Sequence, residues 1–139
     1  RRFPETILIG LNNRDPRYHD IYRVDIRTGA MTLAQTNSEF SGFVTDDDYA
    51  IRFASRMTGD GGTELLKPAA QQPPAGGASS QGITNWEPFQ TVGMEDSLTT
   101  HPIGFDKSGR VLYMIDSRGR NTSAMTTLDL ATGAAARWC

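Results

Sequence analysis

The stretch Tyr22-Arg23-Val24-Asp25-Ile26-Arg27-Thr28-Gly29 returns 104 residues further on as Thr126-Thr127-Leu128-Asp129-Leu130-Ala131-Thr132-Gly133. Each copy alternates polar and apolar residues, the pattern of a half-buried strand, and then runs into Asp-x-x-Thr-Gly. Asp and Thr side chains bond back to their own backbone and Gly accepts a positive φ, so the strand ends in a reversal. At the same spacing Leu8 meets Leu112 and Arg14 meets Arg118, with no gap over more than twenty residues.

A third copy lies between these two. Gly42-Phe43 matches Gly104-Phe105 at a spacing of 62, and at that spacing Ser55-Arg56 matches Ser117-Arg118 and Leu66 matches Leu128. Arg14, Arg56 and Arg118 therefore share one repeat position, 42 and 62 residues apart. The shorter interval is a propeller-blade length, about 40–50 residues. The low-complexity stretch 68–85, dominated by Pro, Gly, Ala, Ser and Gln, accounts for the excess in the longer one. So little apolar surface predicts a mobile insert.

Four strands per repeat follow. The first starts at Gly42-Phe43 or Gly104-Phe105, and a turn follows at Thr45–Asp48 or Asp106–Gly109. The second is the most apolar, at 6–11, 49–57 and 111–116. The third alternates, at 21–26, 63–66 and 125–130, and the fourth is weak, at 31–36, 86–92 and 134–138. No window carries a sustained helical period. The predicted fold is all-β: an antiparallel β-propeller fragment of about two and a half four-stranded blades, eleven strands in all. The incomplete first blade spans 1–41, the second 42–97 with the insert at 68–85, and the third 98–139. A β-sandwich would alternate in the same way, but would not repeat a turn motif in register. An open arc leaves edges and apolar faces, so self-association through them is expected.

Composition sets outer bounds. The 139 residues are 37% hydrophobic and 22% charged, as in a soluble globular domain. A net charge of −2 supplies no basic field, so neither nucleic acid nor an anionic membrane surface is an expected partner. No apolar run approaches the roughly 20 residues of a membrane span. The single cysteine, Cys139, makes no internal disulfide. It fits a reducing compartment as well as a secreted parent with few cysteines; the cytoplasm is the expectation over the periplasm.

Catalytic patterns are missing, and no catalytic residue, metal or cofactor is expected. Gly-x-Ser-x-Gly does not occur. His19, in the loop after a second strand, and His101, in a first strand, have no nucleophile and acid assigned to them. Asp46-Asp47-Asp48 fails as an EF-hand loop, because Ile51 and Met57 stand where Gly and Glu are needed. Gly59-Asp60-Gly61-Gly62 lacks the Lys-Ser/Thr of a phosphate loop. Asn121-Thr122-Ser123 is a formal glycosylation sequon, a pattern common by chance.

Two features admit functional readings. Arg14, Arg56 and Arg118 would make a ring of guanidinium groups, or, as preferred, would repeat for structural reasons by bonding the adjacent loop. Glu95 and Asp96, in Met94-Glu95-Asp96-Ser97 before the third blade, would hold the free amino terminus of a peptide, or form a solvated loop between blades.

The segment from Ile7-Leu8-Ile9-Gly10-Leu11 through Tyr22-Arg23-Val24-Asp25 resembles the propeller of bacterial prolyl-oligopeptidase-family serine peptidases, closest to the dipeptidyl aminopeptidase/acylaminoacyl-peptidase type. Gly104-Phe105-Asp106-Lys107-Ser108-Gly109-Arg110-Val111-Leu112-Tyr113 and Asp116–Arg120 resemble the same propellers. The resemblance covers most of the chain except the insert. It implies a parent in which the propeller precedes a C-terminal α/β-hydrolase domain carrying the catalytic residues, and gates a peptide substrate. None of those residues has a counterpart here, and Glu95 and Asp96 are the candidates for substrate binding. The isolated chain is expected to be inactive. A binding or scaffold propeller with no enzymatic parent is the competing reading.

Overall fold

The computed structural model describes residues 3–69 and 82–138. These form three antiparallel sheets, each a simple meander. The first contains β1 (Thr6–Asp15), β2 (Tyr18–Asp25) and β3 (Met31–Gln35). The second contains β4 (Gly42–Thr45), β5 (Ile51–Met57), β6 (Thr63–Pro68) and β7 (Trp86–Val92). The third contains β8 (His101–Phe105), β9 (Val111–Asp116), β10 (Ala124–Asp129) and β11 (Ala135–Arg137). The chain is an all-β, unclosed, propeller-like arc of one three-stranded and two four-stranded sheets.

The repeated turn is built bond for bond. Asp25 Oδ1 accepts the N–H groups of Arg27 and Thr28 at 2.8 and 3.0 Å, and Thr28 Oγ1 accepts that of Ala30 at 3.2 Å. Asp129 Oδ1 accepts those of Ala131 and Thr132 at 2.8 and 3.0 Å, and Thr132 Oγ1 that of Ala134 at 3.2 Å. Gly29 and Gly133 close the two turns at φ of 73° and 72°, where a Cβ would be strained.

The strands between these turns slip against the gap-free alignment. Ile7 pairs with Val24, the residue before Asp25, whereas Leu112 pairs with Leu128, the residue before Asp129. Ile7 and Leu112 are therefore the true equivalents, not Leu8 and Leu112. A slip of one residue exchanges the faces of a strand, so the difference is physical. The middle copy is shifted too. Asp46 caps its turn by accepting from Asp48 and Ala50, as Asp106 accepts from Arg110 and Val111. Tyr49 (φ 63°) and Gly109 (φ 69°) fill the left-handed position of these turns. The turns are thus 60 residues apart while Ser55 and Ser117 are 62 apart, because β5 contains Ser55 whereas β9 stops at Asp116. Gly42-Phe43 and Gly104-Phe105 are not structural equivalents: Phe43 faces Ala54, but Phe105 faces Leu112 beside the turn.

Two other boundaries move. His19 lies inside β2, not in a loop, because β1 and β2 run on to a tight turn at Pro16-Arg17. Asp15 Oδ1 accepts the Arg17 N–H there at 3.0 Å, and Pro16 presets φ for the reversal. The flanks of the insert are ordered hairpin: Pro68 pairs with Trp86 and the Ala69 N–H donates to Asn85 O at 3.1 Å. The expectation of a mobile insert over 68–85 therefore fails at these flanks, and its remainder, 70–81, lies outside the described residues.

The second sheet buries both faces. Phe53 and Leu65 pack against Leu112 and Met114 of the third sheet. Ala54 and Leu66 pack under Phe40, in the connection arriving from the first sheet, with Phe43 and Trp86 around them. This is the reason that the neighbours Phe53 and Ala54, which point to opposite faces of β5, are both apolar. Among the described residues nothing covers the face of the first sheet on which Ile7, Val24 and Met31 align, and Met31 is 55% exposed.

Candidate functional site

The three repeat arginines and the two candidate carboxylates share one end of the arc. Arg14 and Arg56 lie near the ends of β1 and β5, and Arg118 follows β9. Glu95 and Asp96 sit in the 93–100 connection, which leaves β7 where Val92 faces Thr63, beside the Thr58–Gly62 hairpin. Antiparallel meanders put every second connection at the same end, so the sharing follows from topology.

Each arginine is engaged by carboxylates, from a different source each time. Arg14 forms a two-pronged pair with Asp20 of β2, at 2.7 and 2.8 Å, and also donates to the Asn37 carbonyl. Arg56 donates to Glu64, directly opposite on β6, at 2.8 Å, and to Glu39 at 2.9 Å. With Glu39, Trp86 and Pro88 it borders an open cleft of about 300 Å³. Arg118 grips Asp116, two residues behind it, at 3.0 and 2.7 Å. The Arg14 pair holds Asp20 below the usual carboxylate range, and the Arg118 pair does the same to Asp116. Asp20, Glu64 and Asp116 raise their arginine partners in turn.

The serines beside two of these arginines repeat for a reason the arginines obscure. Ser55 Oγ lies 3.3 Å from Ser41 Oγ, at the entry to β4. Ser117 Oγ lies 2.7 and 3.2 Å from the hydroxyls of Thr99 and Thr100, at the entry to β8. In both sheets the serine fastens the incoming connection. Ser117 also donates to Asp96 at 2.5 Å. Asp96 is half-buried and committed to this cluster, where its charge contributes to the raised pKa of Arg118. Glu95, next to it, is exposed. The structure therefore brings Asp96 and Arg118 into one network, and leaves Glu95 on the surface with Arg14 and Arg56 in separate networks.

Buried polar residues that the sequence does not flag complete this end. Asp20, Gln35, Asn37 and Thr100 are 2% exposed or less. Asn37 Nδ2 donates to the carbonyls of His19 and Phe40, while its Oδ1 accepts from Glu39 and Phe40 N–H, so the 36–41 connection is closed on itself. Gln35 uses both ends of its amide on Ile83: Nε2 donates to Ile83 O at 2.8 Å and Oε1 accepts its N–H at 2.7 Å. Only the Ser55/Ser117 repeat carried a sequence signal for any of this. Among the described residues no cluster of three His, Cys, Asp or Glu could hold a metal ion.

Comparison with known proteins adds a lineage. The dipeptidyl aminopeptidase BIII of Pseudoxanthomonas mexicana is 41% identical over 133 residues, which is 95% of this chain and 18% of that protein. Dipeptidyl peptidase family member 6 of Caenorhabditis elegans is 33% identical over 115 residues, 83% of this chain and 15% of that protein. The chain thus spans less than a fifth of either relative. No family model matches it, and no solved structure does. Through its repeated sheets and these two relatives, the chain is homologous to members of the dipeptidyl-peptidase and prolyl-oligopeptidase group.

Proposed function

We propose that this chain is the non-catalytic propeller portion of a serine peptidase of the prolyl-oligopeptidase type. It limits and orients the approach of peptides to an α/β-hydrolase domain carried elsewhere in the full-length protein. The observation that carries the reading is the 41% identity with a dipeptidyl aminopeptidase along nearly the whole of a chain folded as repeated four-stranded sheets. The names of both relatives favour the dipeptidyl over the acylaminoacyl type. Glu95 is the carboxylate that meets the free amino terminus of the peptide: it is exposed and sits on a connection braced by the Asp96–Ser117 bond. The arginines serve to hold the strand ends and connections, since each is spent on an internal carboxylate. Expressed without the rest of the protein, the chain associates through the open edges of its arc, beside the uncovered apolar face of the first sheet.

The test is turnover of dipeptidyl amides by the full-length protein. Release of dipeptides that is abolished by a serine-directed inhibitor and by acetylation of the substrate amino group is the expected result. A full-length protein with no such turnover, and no serine elbow in its sequence, would leave the scaffold reading in its place.

A further inference from the structure

The space between the second and third sheets is filled unevenly. Toward the Asp46 and Asp106 turns, Phe53 and Phe105 stack with ring centroids 6.0 Å apart. Toward the other end, beneath the 93–100 connection, a cavity of about 200 Å³ remains. No Asp, Glu, Lys or Arg lines it. Its apolar wall includes Leu65, Val92 and Met114, each 5% exposed or less. Three of its four hydroxyls bond to neighbouring groups: Ser55 Oγ to Ser41 and Gly42 O, Thr100 Oγ1 to Ser117, and Ser97 Oγ to Met94 O. An apolar cavity of about 150 Å³ suffices for benzene.

We infer that this cavity is a binding site for a small, uncharged apolar group, the size of a phenyl ring or an isobutyl chain. The source is either a free small molecule or the side chain of a peptide. The site stands independently of the peptidase reading; within that reading a peptide side chain is the occupant. His101, exposed at the mouth, is positioned to meet the polar part of whatever carries the group.

Met114 lines the cavity, which makes it a reporter. The full-length protein, labelled with ¹³C at methionine methyls, would be titrated with benzene and, separately, with the amides of acetylated phenylalanine, leucine and glycine. A saturable shift of the Met114 resonance with benzene, with Met31, Met57 and Met94 unmoved, is expected. Saturation by the phenylalanine and leucine amides but not the glycine amide would assign the peptide source; saturation by benzene alone would assign the free molecule. Val92→Phe fills the cavity and should abolish the shift, and Thr63→Leu does the same should the first variant fail to fold. No saturable Met114 shift with any probe, or a shift that persists in a folded filled variant, overturns the site. Peptidase assays do not enter these readouts, so a failure of the proposed function would be seen separately.

Discussion

The hydroxyl of Tyr49 donates to the backbone carbonyl of Thr6 at 2.7 Å, joining the first turn of the second sheet to the first strand of the first sheet. Tyr49 reaches it from the left-handed region, at φ 63°, a conformation that costs about 1–2 kcal/mol for a residue with a Cβ. Its ring also stacks on Phe3, with centroids 6.0 Å apart, and Arg23 lies over both rings. Tyr49→Phe keeps the rings and loses the bond. Urea unfolding followed by tryptophan fluorescence should show a loss of about 1 kcal/mol, and no loss would mean that the two sheets are held by other contacts.

The same turn reaches forward through Arg52. Its guanidinium pairs with Asp46 at 3.0 Å, donates to Gly109 O at 3.0 Å and lies 4.9 Å from the Phe105 ring centre. Lysine cannot divide a planar fork among three partners. Arg52→Lys should cost about 1–2 kcal/mol. Gly109→Ala should cost a similar amount from its φ of 69°, with a Cβ 2.8 Å from Arg52 Nη1. Because both act on one contact, the double variant should cost less than the sum, as a double-mutant cycle would measure.

Acid should weaken the third sheet through Asp106. The Ser108 hydroxyl, then the N–H groups of Val111 and Arg110, lower its pKa from 3.8 to about 2. A folded pKa below the unfolded one means that this stabilisation is present above about pH 4 and is lost as pH falls toward 2. In an acid unfolding series, Asp106→Asn should flatten the decline across that window. A wild-type curve with the same slope as the variant would contradict the assignment.

Equivalent positions should respond unequally to the same truncation. Leu112 is fully buried between two sheets, so Leu112→Ala should cost about 2–5 kcal/mol. Ile7 holds the matching place on the first sheet but is 36% exposed. In the isolated chain Ile7→Ala should cost about 1 kcal/mol or less. In the full-length protein a cost near that of Leu112→Ala would mean that another sheet covers this face, and an unchanged small cost would mean that none does.

Glu95→Gln tests the proposed grip on the substrate amine. A charge-assisted bond contributes about 1.5–3 kcal/mol, so KM for dipeptidyl amides in the full-length enzyme should rise roughly tenfold or more. An unchanged kcat would mark it as a binding contact only. Substrates blocked at the amino terminus should not distinguish the variant from wild type. Asp96→Asn, by contrast, should act through the Ser117 cluster and lower stability before it alters KM.

What could be read directly from the residues is local. The Asp25 and Asp129 turns close within a few residues through bonds from one carboxylate to the next amides, so their motif repeats intact and its spacing discloses the sheets. The alternation of each third strand is likewise a property of neighbours along the chain, and the repeat anchored on it made legible the eleven strands found among the described residues. Register was not: hairpins of different length place Ile7 rather than Leu8 opposite the partner that makes it equivalent to Leu112, and only cross-strand pairing decides that. Nor could composition disclose which polar residues are buried. Asp20 meets the N–H of Asn37 at 2.6 Å, and Gln35 meets Ile83 across 48 residues of sequence. Such groups enter the interior only because folding brings the complementary donor or acceptor to them, since an unpaired buried polar group would cost more than the contact returns. That complement is absent from the local sequence and exists only once the sheets have packed.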